Sequence, residues 1–168
     1  MKIIDAEILV AKGFEHARSV LGVDLDEWSF EFNNSRRCLG VCNYSKKTIY
    51  LSRAFTEVNT PEMVWDTIIH EIAHAVCPGA KHGPIWVNTY RQLGGKNGTK
   101  ARAGVDTNLV EPKWVVVDPT TNKIVSRYQR KPSKCFKNSY IPGRKEETLG
   151  KLVAMPYAKF KRSVSENV

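Results

Sequence analysis

The sequence predicts an α+β protein: an N-terminal helix, a small antiparallel β-meander and a helix carrying a His-Glu-x-x-His motif, followed by a small basic β-rich module. Three observations predict it. Apolar residues recur at helical spacing over residues 3–20 and 61–76, large apolar and polar residues alternate between 28 and 52, and a strand-turn-strand pattern appears after residue 113.

In the first element, Ile3, Ile4, Ile8, Leu9, Ala11, Phe14, Ala17, Val20 and Leu21 repeat every three to four positions up to Gly22, which predicts a helix over 3–20. Trp28-Ser29-Phe30-Glu31-Phe32 alternates as a half-buried strand should, and Asn33-Asn34-Ser35 supplies a turn. Residues 36–43 and 47–52 read as two further antiparallel strands around Asn43-Tyr44-Ser45-Lys46, which completes the meander. Thr60 can cap free amides and Pro61 loses nothing at the first helical position, so a helix starts there and runs to about Val76. Pro78 cannot continue it. A second helix over Pro84–Leu93 ends at Gly94-Gly95.

Residues 96–112 carry Gly98 and Gly104 among mixed polar residues and read as a linker, which divides the chain into domains at 1–95 and 113–168. Beyond it, Trp114–Val117 and Lys123–Tyr128 flank Asp118-Pro119-Thr120-Thr121-Asn122, a hairpin pattern. A last strand is predicted over Leu149–Met155, with a frayed basic end from Lys159.

With 42% hydrophobic and 26% charged residues, the composition excludes a disordered or membrane-spanning chain. The first ten residues hold no apolar run of signal-peptide or transmembrane length, so a cytoplasmic protein is expected, with no membrane partner. Cys38, Cys42, Cys77 and Cys135 show no disulfide framework and are read as reduced thiols, Cys38 and Cys42 as small apolar groups on one strand face. The net charge of +9 is uneven. Residues 1–95 carry 10 Lys/Arg against 11 Asp/Glu, whereas 96–168 carry 16 against 6. So basic a tail makes nucleic acid the first partner to consider, because contact with polyphosphate releases counterions.

The chemistry lies in His70-Glu71-Ile72-Ala73-His74. On a helix, the i,i+4 spacing puts both imidazoles on one face, one turn apart, where they suit one ion. Zinc takes imidazole nitrogens, and a catalytic site needs a third protein ligand and an open position. His82 is the candidate, since the break at Pro78-Gly79 lets the chain turn back towards the helix. Three of the four histidines thus fall within thirteen positions. Glu71 is about 100° round the helix from His70, placed as a general base without ligating the ion. These parts suit peptide hydrolysis by one Zn2+ and an activated water.

These residues resemble a known family. His70-Glu71-Ile72-Ala73-His74-Ala75 followed by His82-Gly83-Pro84-Ile85-Trp86, with Leu39-Gly40, Lys47-Thr48-Ile49-Tyr50-Leu51-Ser52 and Thr67-Ile68-Ile69, is similar to the SprT-like (Spartan-related) zinc metallopeptidases over residues 3–95. The resemblance implies a minimal zincin fold, His70, His74 and His82 as zinc ligands, and Glu71 as the catalytic acid/base. It also implies protein substrates, including proteins crosslinked to DNA. Many members end in a zinc ribbon with paired cysteines; this tail offers only Cys135. A second zinc is therefore not expected, and the hairpin reads as a ribbon-like module held by Trp114, Val116, Ile124, Tyr128 and Phe136.

Other residues have two readings at this stage. Asp66, one turn before His70, is either an acceptor that orients a ligand imidazole or a solvated helix residue. Trp86 and Tyr90 are expected to pack the second helix on the first, and Tyr90 or Tyr44 could face an oxyanion. Arg127, Arg130, Lys131, Lys134 and Lys137 interleave with Tyr128 and Phe136, a mixture suited to phosphate contact and base stacking. The alternatives to a DNA-associated peptidase are a non-catalytic nucleic-acid-binding protein with a structural zinc, and a peptidase whose tail meets an acidic protein.

Overall fold

A computed structural model describes residues 1–96 and 109–165. The chain divides into two compact units, Met1–Val110 and Glu111–Val168. Most of the predicted linker, residues 97–108, lies outside the described residues.

In the first unit α1 spans Ile3–Leu21 and stops at Gly22, whose φ of 64° suits a residue without a Cβ. Its buried residues, Ala6, Val10, Gly13 and Ala17, form one stripe of small side chains. They let α1 approach α3 (Pro61–Val76) closely, so closely that a Cβ on Gly13 would stand 2.7 Å from Ile68 Cγ2. Thr60 Oγ1 accepts from the Met63 N–H at the start of α3, with Pro61 in the first turn, as the sequence predicts.

Three strands, β1 (Ser29–Asn33), β2 (Gly40–Asn43) and β3 (Thr48–Ser52), make a sheet in the order β1-β3-β2. The predicted antiparallel meander is therefore corrected: β2 pairs antiparallel with β3, but β1 pairs with β3 in parallel. Burial explains the order. Ile49, Leu51 and Ser52 of β3 are the deepest residues of the sheet, at 0%, 1% and 0% exposure, and the strand that buries most belongs in the middle. The segment after β1 carries β2 across to the other edge, pinned by Ser52 N–H to Leu39 O at 2.7 Å and by Ser52 Oγ to Ser35 O at 2.6 Å. Strand β2 is also shorter than the predicted 36–43. Cys38 consequently lies in an exposed loop and shares no strand face with Cys42.

Ser52 also caps α2 (Arg53–Val58), a helix the sequence reading does not anticipate, by accepting from the Phe55 N–H. After α3, α4 spans Pro84–Gln92. The core joins Ile49, Leu51, Ile68, Ile69, Ile72, Trp86, Tyr90 and Leu93, all at 1% exposure or less, so the metal-motif helix is packed at the centre of its unit. Truncating one of these isoleucines to alanine costs about 2–5 kcal/mol.

In the second unit β4 (Trp114–Asp118) lies between β5 (Lys123–Tyr128) and β6 (Val153–Pro156), antiparallel to both. Val115, Val116 and Val117 are all buried, so both faces of β4 are covered. Of the predicted module core, Val116 is buried and Trp114, Ile124 and Phe136 are half-buried, while Tyr128 is corrected to an exposed position. The hairpin turn is organised by Asp118, which accepts from the Thr120 N–H, Thr121 Oγ1 and Arg144. Burial works to raise its pKa, but these bonds and the guanidinium outweigh burial and hold it below the usual carboxylate range. A 3₁₀ turn at Lys134–Asn138 and α5 (Lys145–Thr148) precede β6. The last strand starts later than predicted because Gly150, with φ 74°, sits in a turn. The predicted frayed end is instead α6 (Tyr157–Ser165), where Lys161 pairs with Glu111 and covers the Tyr157 ring. Among the described residues, no helix is long and apolar enough to cross a membrane.

Candidate metal centre

His70 and His74 project from one face of α3, their Nε2 atoms 3.2 Å apart. The helix ends at Cys77 because Pro78 offers no N–H. Two left-handed residues, Gly79 (φ 80°) and Lys81 (φ 51°), then reverse the chain, and Ala80 and Gly83 N–H groups close successive tight turns on Cys77 O and Ala80 O. This reversal delivers His82. Its Nε2 lies 3.1 Å from that of His74 and 3.2 Å from that of His70.

Such a triangle is what one tetrahedral ion needs. Nitrogens at the zinc bonding distance have tetrahedral edges of about 3.3–3.4 Å. The observed edges are close to that length, and among the described residues these three histidines are the group able to hold a metal ion. Their protonation fits as well. Burial, then the neighbouring His74 and His82, pull His70 down to about 3, against a smaller opposing pull from Asp66. Burial and His82 pull His74 down to about 4. Both rings are neutral near pH 7 and offer lone pairs to a cation.

Trp86, fully buried on α4, backs the triangle, with ring centroids 4.6 Å from His70, 5.1 Å from His74 and 4.6 Å from His82. Tyr90 stacks behind it at 4.9 Å with ring planes 12° apart. The predicted packing role of these two residues is present, and Trp86 additionally forms the wall of the site. Asp66 accepts from the Tyr90 hydroxyl and the Lys96 N–H. It is therefore neither a solvated helix residue nor the acceptor for His70, whose buried Nδ1 has no hydrogen-bond partner among the described residues.

The Glu71 side chain lies against Gly40 of β2 and is 7% exposed. Burial pushes its carboxyl up to about 8, and a hydrogen bond from the Cys42 backbone works in the opposite direction. The adjoining Cys42 thiol is pushed up to about 12, first by burial and then by Glu71, which leaves it protonated and inert. Cys77 Sγ lies 3.1 Å from Thr89 Oγ1. Tyr44 is 43% exposed, and its phenol is raised by burial first and then by Cys42, Glu71 and Cys77. The sequence motif does not point to Gly40, which adjoins Glu71. Its signal was a glycine inside a strand pattern, a sign of close backbone approach.

A short helix pair that brings three neutral imidazoles to one point, beside a buried carboxyl, defines a protein able to bind one metal ion through histidine. The model of the SprT-like family matches residues 10–107, more than half of the chain, and the protein belongs to that family. No curated protein matches the chain.

Proposed function

We propose that the protein is a zinc-dependent endopeptidase with Glu71 as its general base. The observation that carries this reading is the nearly equilateral Nε2 triangle of His70, His74 and His82, with Glu71 on the adjacent helix face. His70, His74 and His82 would hold the zinc ion, which would supply the Lewis acidity that polarises a peptide carbonyl and acidifies water. A cation on the neighbouring histidines would favour the ionised form of Glu71, which takes the proton from the attacking water on a carboxylate oxygen and passes it to the leaving amine nitrogen. The burial of Glu71 keeps that proton out of bulk solvent between the two transfers. Trp86 and Tyr90 hold the imidazoles from behind and do not face substrate.

In the same reading, residues 1–95 are the peptidase domain, 96–112 the linker and 113–168 a basic module that brings the enzyme to DNA-bound or DNA-crosslinked proteins in the cytoplasm. Support comes from charge and exposure. Residues 111–168 carry 13 Lys/Arg against 5 Asp/Glu. On the edge strand β5, Arg127 and Tyr128 are both exposed, on opposite faces, with Tyr128 opposite Trp114. Lys131 covers the Trp114 ring at 5.5 Å, so one cation and one ring already share a surface there.

A protease assay on a DNA-bound test protein, run with and without single-stranded DNA on metal-analysed enzyme, tests this function. Cleavage should stop when a chelator removes the metal and return when zinc is added back. Full cleavage by metal-free protein would exclude it, and a tightly bound zinc without any cleavage would favour a structural metal.

A further inference from the structure

Strand β2 is an edge strand, paired only with β3 among the described residues. Gly40 and Cys42 lie opposite Leu51 and Ile49, so these two residues of β2 share the sheet face that turns to the core and to α3. A Cβ added to Gly40 would stand 2.6 Å from Glu71 Cγ, 2.7 Å from Glu71 Oε1 and 2.9 Å from Thr67 Cγ2. All three distances are shorter than a carbon atom tolerates. Gly40 is not among the residues with positive φ, so the requirement for glycine is one of space and not of backbone conformation. Two residues on, the Cys42 backbone reaches the Glu71 carboxyl.

We propose that Gly40 is a positioning residue for Glu71: its missing side chain lets β2 lie against α3, and the strand's main chain then fixes where the carboxyl points. This rests on the reading of Glu71 as the general base, and adds that the base is seated by a strand far from it in sequence. Glu71 has little freedom there. A methyl group at position 40 displaces the carboxyl or pushes the strand away. His70 and His74 leave α3 on another face, and His82 comes from the turn before α4, so the metal triangle does not depend on β2. The expected signature is a protein that keeps its metal and loses turnover.

The test is a double-mutant cycle with two readouts. Gly40→Ala should retain one equivalent of zinc while kcat falls by about 100-fold with little change in KM, the scale set by an ångström of misplacement. In thermal unfolding, Gly40→Ala should lower Tm in the wild-type background and by less than half as much in the Glu71→Ala background, because the two nearest clashing atoms, Glu71 Cγ and Oε1, are gone and only Thr67 Cγ2 remains. Equal losses of Tm in both backgrounds would overturn the seat, even if Gly40→Ala folds poorly, since the cycle compares it with Gly40→Ala/Glu71→Ala. Wild-type turnover in Gly40→Ala would overturn it as well. The unfolding cycle needs no activity, so it decides the seat even if the peptidase reading fails.

Discussion

The Tyr90 hydroxyl lies 2.7 Å from both carboxylate oxygens of Asp66, and this contact ties α4 to α3 one turn before His70. Trp86 stacks on the same tyrosine and backs all three imidazoles, so the contact reaches the metal site through two rings. Tyr90→Phe removes a donor to a carboxylate, a loss of about 1.5–3 kcal/mol. It should lower the urea midpoint and weaken zinc binding, while Tyr90→Phe and wild type bind DNA alike. Urea titration and competition with a zinc-chelating dye check both effects.

Stability of the metal-free protein should peak near pH 6.5. His70 and His74 fall from 6.5 to about 3 and about 4 on folding, whereas Glu71 rises from 4.5 to about 8. Between pH 4.5 and 6.5 the unfolded chain holds protons on both imidazoles, while the folded chain holds one on Glu71. The unfolded state binds one proton more, so stability rises with pH at about 1.4 kcal/mol per unit. Above 6.5 the unfolded chain has lost both, the folded chain keeps one, and stability falls until about pH 8. Glu71→Gln should abolish the falling limb and steepen the rising one to about 2.7 kcal/mol per unit, because the folded chain then holds none of the protons that the unfolded imidazoles hold. Chemical unfolding of metal-free protein across this range measures both limbs.

Gly79 opens the reversal that brings His82 back to the helix, at a φ of 80°. Alanine there is strained by about 1–2 kcal/mol. Gly79→Ala should release zinc at a lower chelator concentration than wild type, with α3 itself unchanged by circular dichroism. Unaltered zinc affinity would mean that His82 is held by something other than this turn.

For the basic module, Arg127→Ala/Arg130→Ala/Lys131→Ala should weaken binding of a single-stranded oligonucleotide. Each lost phosphate contact lowers the slope of log K against log salt by about 0.7. Fluorescence anisotropy at several salt concentrations reads this directly. Binding that is absent at low salt even in wild type would favour an acidic protein as the partner.

Much of this architecture is legible in the sequence because local signals decide it. Thr60, Pro61 and Pro78 bound α3 at the residues found, and the i,i+4 histidines need only a helix to face one ion. What escaped depends on tertiary context. Sheet order follows from which strand buries most, and alternation alone cannot distinguish a meander from a sheet with β3 in the middle. The helix α2 has only six residues, too few for a periodic pattern. Asp66 is read correctly only when Tyr90, 24 positions away, is seen to occupy it. Gly40 shows its meaning only beside Glu71.

The most direct measurement of the central claim is cleavage of a DNA-bound test protein by wild type and by Glu71→Gln, each loaded with zinc and shown to be folded. Glu71→Gln should bind one equivalent of zinc, melt no earlier than wild type, and show no cleavage above background. Equal cleavage by Glu71→Gln and wild type would contradict the account.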